Sequence, residues 1–256
     1  MIRRVPVLIA LTAALVIAGG CSRSPAVERL EWPVMGTIAA VQHRGAAAAA
    51  RRLAAQARAD FAALEKLLNR FDPDSELSRL AGLSDAEVLA RCDARVRPCY
   101  AAAFRLRDES GGAFDPRWRG RGTLDLGAIA KGFALDAAAK SAGSTGDGGK
   151  LLLDLGGNLK VVRGEWKTAV AASDLTLTLT NGMAAATSAE YFRGKHIIDA
   201  RTGNAVTNGF KSVTVVHPTS AMLADGLSTV CFLLGEADGE ALLKKHHPEA
   251  RAYWNR

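Results

Sequence analysis

Apolar residues at Leu53, Ala57, Phe61, Leu64 and Leu68 fall on one face of a 3.6-residue spiral and predict a long helix over 45–69. Its alanine-rich start is no linker, because alanine has the highest helix propensity. The run Phe71-Asp-Pro-Asp-Ser75 stops it. Shorter helical patterns cover 84–91 and 100–109, the latter ending at Gly111-Gly112. A short strand over 123–126 leads into a helix over 127–141. Period-two or continuous apolar runs predict strands at 32–42, 150–154, 159–162, 166–171, 175–179, 196–199 and 212–217, separated by Gly, Asn and Asp turns. A last long helix spans 219–234 up to Gly235, and a short one covers 240–245. Strands and helices mix without regular βαβ alternation, which predicts an α+β fold.

The first residues form a different pattern. Arg3 and Arg4 precede an apolar run from Val5 to Ile17, then Ala18-Gly19-Gly20-Cys21. That run is shorter than the ~20 residues a membrane-spanning helix needs, so it predicts a signal peptide. Small residues before a cysteine predict lipid attachment at Cys21. The expected organisation is a signal over 1–20, a lipid-anchored polar tether over 21–30, and one domain over 31–256. Such a protein would sit on the periplasmic side of a bacterial membrane, inner or outer, held by its lipid. A 48% hydrophobic content supports a sizeable core, and the net charge of +7 falls by two when the signal leaves. The remaining cations are scattered, with no basic run interleaved with aromatics, so no nucleic-acid partner is expected. In an oxidising compartment Cys92 and Cys99 are positioned either to pair or to stay free, since Pro98 interrupts a continuous helix between them. Cys231, in an apolar stretch, is expected to be buried and unpaired.

Chemistry-bearing residues recur at turns and on the last long helix. Asp225 and Thr229 lie one helical turn apart on one face, and both offer hard oxygens to Mg²⁺, which takes few protein ligands and shares the rest with water and phosphate. Taken alone, Asp225 is more often a solvated helix residue, although its neighbours Ala221, Leu223, Ala224 and Leu227 are apolar. Asp125-Leu-Gly-Ala-Ile-Ala-Lys131-Gly132 enters a helix through small residues, where backbone N–H groups favour phosphate and Lys131 adds a charge. It is neither a Walker loop nor a dinucleotide fingerprint. His196 precedes the turn Asp199-Ala-Arg-Thr-Gly203, and Asp154-Leu-Gly-Gly-Asn158 is a tight turn that lets backbone approach a ligand.

The ordered set is far more specific than its parts. Met35-Gly-Thr37, Phe71-Asp-Pro-Asp-Ser-Glu-Leu-Ser-Arg79, Gly112-Ala-Phe-Asp-Pro116, Leu124-Asp-Leu-Gly-Ala-Ile-Ala-Lys-Gly132, Leu155-Gly-Gly-Asn158, Thr187-Ser188, His196-Ile-Ile-Asp-Ala-Arg-Thr-Gly203 and Ala224-Asp-Gly-Leu-Ser-Thr229 together resemble the ApbE family of FAD:protein FMN transferases. The resemblance implies an α+β fold of two related sheet-and-helix halves. It implies Met35, Phe71 and Ile198 against FAD, and Ala113, Phe114 and Asp115 framing it. Asp125 and Lys131 would hold the nucleotide, and Mg²⁺ would take the Ala128 carbonyl with the side chains of Asp225 and Thr229. His196 would be the base. The implied reaction moves FMN from FAD to a Thr or Ser hydroxyl of a flavoprotein subunit in a membrane redox complex, releasing AMP. Two alternatives use the same site: a Mg²⁺-dependent FAD pyrophosphatase and a non-catalytic FAD-binding lipoprotein. Where the family has some tens of residues between the Ala-Phe-Asp-Pro and Asp-Leu-Gly elements, this chain has only Arg117–Thr123. Ala81, Ala189 and Ala200 also depart from the family pattern.

Overall fold

The computed structural model describes residues 26–170, 174–189 and 197–256. The chain opens with a hairpin of β1 (Val27–Val34) and β2 (Thr37–Arg44), followed by α1 (Ala47–Leu68). Three shorter helices come next: α2 (Glu76–Leu80), α3 (Asp85–Arg91) and α4 (Arg97–Glu109). Then follow α5 (Ala130–Gly143), β3 (Lys150–Leu155), β4 (Asn158–Arg163), β5 (Trp166–Ala169), β6 (Thr176–Leu179) and β7 (Ala184–Ala189). The last part holds β8 (Ile198–Asp199), β9 (Asn204–Ala205), β10 (Ser212–His217), α6 (Ala221–Leu234), α7 (Glu236–His246) and β11 (Arg251–Asn255). The class is α+β, as the pattern predicts.

Seven strands form one sheet in the order β1-β2-β3-β4-β7-β10-β11, antiparallel at every junction. One face carries Leu151, Leu153, Leu155, Ala184, Ala186, Val213 and Val215 into a large core with α1, α5 and α6. The other face carries Leu152, Ala185 and Val216 against Trp166 and Leu179 of the β5–β6 hairpin. Both faces are therefore dry at the centre, which explains why Leu151-Leu-Leu153 reads as a continuous apolar run rather than an alternation.

Local chemistry sets several boundaries. Ser84 and Glu87 form a capping box at the start of α3, and the Ser75 and Ser220 side chains accept from Ser78 and Leu223 N–H groups to start α2 and α6. Pro98 falls in the first turn of α4, where its missing N–H costs nothing, so that helix begins at Arg97 rather than at residue 100.

Several expectations are corrected. The strand over 32–42 is a hairpin: Val34 pairs with Thr37, and Met35-Gly36 turn the chain with φ of 51° and 68°. Two positive φ values match the right-handed twist of the flanking strands. Because β1 begins at Val27, the last residues of the expected tether belong to the sheet. Residues 123–126 form no strand, and α5 begins three residues later than expected, after a turn at 127–129. The strand β7 carries no alternation in its sequence, Ala-Ala-Ala-Thr-Ser-Ala; its small residues let α6 lie close on the sheet centre. Cys92 and Cys99 are buried free thiols, with Cys92 Sγ at 3.7 Å from the Leu89 carbonyl. Cys231 is buried and unpaired as expected, and burial pushes its thiol up to about 12.

Candidate active site

Two helices meet with unusual closeness where α5 crosses α6. A Cβ on Gly132 would stand 2.1 Å from the Ala221 carbonyl oxygen and 2.7 Å from Asp225 Cβ, so only glycine lets the two helices meet here. The closeness has a chemical result. The Gly132 N–H donates to Asp225 Oδ2 at 2.9 Å. In an uninterrupted helix that N–H would serve the carbonyl four residues back, that of Ala128. No backbone N–H of the described residues donates to the Ala128 oxygen instead. The start of α5 thus leaves a carbonyl uncommitted beside a carboxylate that is only 4% exposed. Lys131 reaches across with Nζ 3.4 Å from Asp225 Oδ1 and 3.2 Å from the Gly127 carbonyl. One turn along α6, Thr229 bonds through its hydroxyl to Ser188 of β7 at 3.0 Å.

These groups line a cleft of about 1580 Å³, well above the volume that a drug-sized ligand fills. Its walls include Met35, Phe71, Phe114, Asp115, Asp125, Ala128, Lys131, Ile198, Asp225 and Thr229. Ten residues singled out from the sequence are thereby brought together from separate stretches of chain. Ala113 is not among them: it is fully buried, and its carbonyl accepts from the Ala200 N–H, so it stands behind the wall and ties down the turn at 199–203. His196 and Cys21 lie outside the described residues.

The rim is built from opposed charges. Asp125 Oδ1 accepts from the Gly127 N–H at 2.9 Å, closing the turn into α5. Its Oδ2 faces Arg70 Nε at 3.2 Å and Arg119 Nε at 3.5 Å. Arg70 in turn lies over the Phe71 ring at 3.9 Å, and Arg119 over Trp118 at 4.1 Å. Phe71 is 77% exposed, an open aromatic face at the mouth. Sequence reasoning missed Arg70, Trp118 and Arg119. Arg70 adjoins a chosen residue, but nothing local to 117–123 says that this stretch folds back to Asp125. It does so because the Arg117 guanidinium donates to Asp85 and to the Ala81 and Leu83 carbonyls, pinning the short loop against α2 and α3. Met35, another lining residue and a non-glycine at positive φ, is held by its N–H donating to Glu65 Oε1 at 2.8 Å. Strain of this kind concentrates at binding sites. Asp199 is gripped by Arg201 through Nε at 3.0 Å and a terminal nitrogen at 2.7 Å, which holds its carboxyl below the usual range.

The helix that carries Asp225 and Thr229 is anchored at its start by two devices. Asp136 of α5 accepts from the Ala221 and Met222 N–H groups at 2.9 and 3.0 Å, and Lys160 pairs with it at 2.9 Å. His217 Nδ1 accepts from the Thr219 and Ser220 N–H groups, while Nε2 donates to Glu249 Oε1 at 3.1 Å. That pattern requires a neutral ring, and burial holds its pKa below the ordinary imidazole value of 6.5. The unfolded ring takes up a proton near 6.5, before the folded one does, so stability is expected to fall as pH drops below about 6.5. Urea midpoints at pH 7.5 and pH 5.5 check this: the wild type is expected to lose more between them than His217→Ala does.

A profile described as the ApbE family matches residues 35–120 and 117–254. The chain belongs to the ApbE family. The two matched stretches overlap at residues 117–120, within the loop Arg117–Thr123. Among its relatives, the FAD:protein FMN transferase of Haemophilus influenzae is 31% identical over 144 residues, 48% of this chain and 41% of the relative. That of Klebsiella pneumoniae is 38% identical over 136 residues, 48% of this chain and 42% of the relative. The matched stretch thus spans less than half the length of either. In fold, the flavinyl transferase ApbE of Pseudomonas stutzeri superposes with a TM-score of 0.75 at 22% identity, covering 91% of this chain and 92% of that one. The flavin transferase ApbE of Vibrio cholerae gives 0.71 at 21% identity, covering 90% and 98%.

Proposed function

We propose that this protein transfers FMN from FAD to a Thr or Ser hydroxyl of a partner protein, with Mg²⁺ held by the Ala128 carbonyl, Asp225 and Thr229. The observation that carries the reading is the convergence of Asp225, Lys131, Thr229 and an uncommitted carbonyl in one cleft. The names of the relatives support it.

The residues present fit a magnesium ion. Among the described residues no three His, Cys, Asp or Glu side chains cluster as a metal site. A cation here draws on one carboxylate, one hydroxyl and one carbonyl and completes its shell with water and phosphate oxygens, the arrangement Mg²⁺ favours. The charge of the cleft argues the same way. Its described lining carries five carboxylates (Glu65, Asp115, Asp125, Asp154, Asp225) against three cations (Arg70, Arg119, Lys131). An anionic pyrophosphate entering such a cleft needs added positive charge. When bound, the ion supplies that charge at the pyrophosphate oxygens.

The protein's own groups divide the remaining work. Phe71, Met35 and Ile198 offer apolar surface for the flavin and adenine rings. Lys131, already poised by Asp225 and Gly127, faces the pyrophosphate. The acceptor hydroxyl attacks the FMN-side phosphorus, the bond to the AMP oxygen breaks, and AMP leaves. His196 is the base that takes the hydroxyl proton, a role resting on its sequence position. His196→Ala is expected to slow transfer about a hundredfold or more with FAD binding unchanged; an unaltered rate would remove His196 from the mechanism. The acceptor is proposed to be a flavin-carrying subunit of a membrane redox complex, met on the periplasmic side by a chain anchored through Cys21.

Chromatography of a reaction with FAD, Mg²⁺ and a Thr-bearing acceptor tests the reading. AMP release that requires both Mg²⁺ and acceptor supports transfer. AMP with an equal amount of free FMN, whether or not acceptor is present, identifies a pyrophosphatase instead.

A further inference from the structure

The Thr229 hydroxyl belongs to a chain of hydroxyl groups whose proton directions are fixed by counting. Ser228 Oγ lies 2.8 Å from the Asp225 carbonyl oxygen, which only accepts, so the single Ser228 proton is spent there. Ser228 Oγ is also 2.9 Å from Ser188 Oγ, and this contact is a hydrogen bond only if Ser188 donates. With its proton committed, Ser188 can only accept at its 3.0 Å contact with Thr229. Thr229 therefore donates to Ser188, and no proton of its own is left to point into the cleft. A helical Thr commonly donates to the carbonyl four residues back, here that of Asp225, but Ser228 already occupies that oxygen. Ser228 is fully buried, and Ser188 sits on β7 with Thr187 bonded to Thr214 of β10 beside it at 2.7 Å, so the relay is set in the sheet centre.

We infer that Ser188 and Ser228 are positioning residues that orient the Thr229 proton inward, turning the Thr229 lone pairs to the cleft as a ready-made ligand for the divalent cation. This rests on the reading that Asp225 and Thr229 hold that cation. A hydroxyl free to rotate would present its proton to the ion part of the time; the relay removes that state before the ion arrives. Partners behind a metal ligand typically change affinity 10–100-fold.

The test is Mn²⁺ binding to the purified full chain with FAD present, followed by loss of the free Mn²⁺ electron paramagnetic resonance signal. Wild type, Asp225→Asn, Ser188→Ala, Ser188→Thr and Ser228→Ala are compared, each with its melting temperature. Ser188→Ala and Ser228→Ala are expected to weaken Mn²⁺ binding roughly tenfold or more, although neither side chain is a proposed ligand, and Ser188→Thr is expected to bind as wild type. If Asp225→Asn loses the ion while both alanine variants bind like wild type, the relay is overturned and the cation site stands. If Ser188→Ala weakens binding and a folded Ser228→Ala does not, the protons do not run from Thr229 through Ser188 to Ser228 and the relay is overturned. If Asp225→Asn binds like wild type, the cation site itself fails and the relay with it. Should Ser228→Ala not fold, the Ser188→Ala and Ser188→Thr pair decides, since that hydroxyl lines the cleft and is kept by Thr and lost in Ala.

Discussion

Asp225→Asn is expected to fold and to lose FMN transfer by about a thousandfold, the scale at which groups stabilising transition-state charge are felt. The substitution keeps the shape of the side chain and an oxygen that accepts from the Gly132 N–H, so the α5–α6 contact survives. What disappears is the negative charge that faces Lys131 and the proposed magnesium ion. Asp225→Ala is the poorer test, because it strips the nearly buried Gly132 N–H and the Lys131 ammonium of a partner together, which adds a folding cost. Steady-state AMP release at saturating FAD, read beside the melting temperature, checks the asparagine variant. Melting within a few degrees of wild type with no AMP is the expected result. Full activity would mean that Asp225 is only a structural cap for α5.

Gly132→Ala carries the largest expected stability effect. The added methyl would meet the Ala221 carbonyl oxygen at 2.1 Å and its carbon at 2.6 Å, and these are backbone atoms that no side-chain rotation can clear. The helices must separate, at a cost of about 3 kcal/mol for overpacking of this kind. For a chain of this size that corresponds to a fall in Tm of roughly 6–12 °C. Separation also draws the Gly132 N–H away from Asp225, so activity is expected to fall with stability. Thermal unfolding checks it: a Tm unchanged within about 2 °C would show that α5 and α6 do not pack as closely as described.

The parts of this site that were legible in the sequence are those whose chemistry is local. Asp225 and Thr229 share a helix face by spacing alone, and small residues at Gly127, Ala128 and Gly132 announce a backbone that something approaches closely. The order of eight motifs then carried the family. What was not legible depends on where separate segments land. Ser188 lies in a strand with no apolar alternation, and its partnership with Thr229 exists only because β7 is laid between β4 and β10 beneath α6. Arg119 joins Arg70 at Asp125 because Arg117 pins the 117–123 loop against Asp85. Likewise, the turn at Met35-Gly36 was hidden inside an apparently continuous strand, since Met at positive φ is not a turn signal. Asp136 carries no local signal of its role, yet it accepts from the first N–H groups of α6.

Covalent movement of FMN onto another protein through the Asp225 cleft is a change of mass in that protein, so mass is the quantity to read. A Thr-bearing acceptor is incubated with this protein, FAD and Mg²⁺, and intact-mass spectrometry follows the acceptor. The expected result is a gain of one FMN with loss of one water, abolished when the acceptor Thr is replaced by Ala and when Asp225→Asn replaces the wild type. An acceptor of unchanged mass, alongside a well-characterised transferase that modifies the same acceptor under the same conditions, would overturn the assignment of flavin transfer to this cleft.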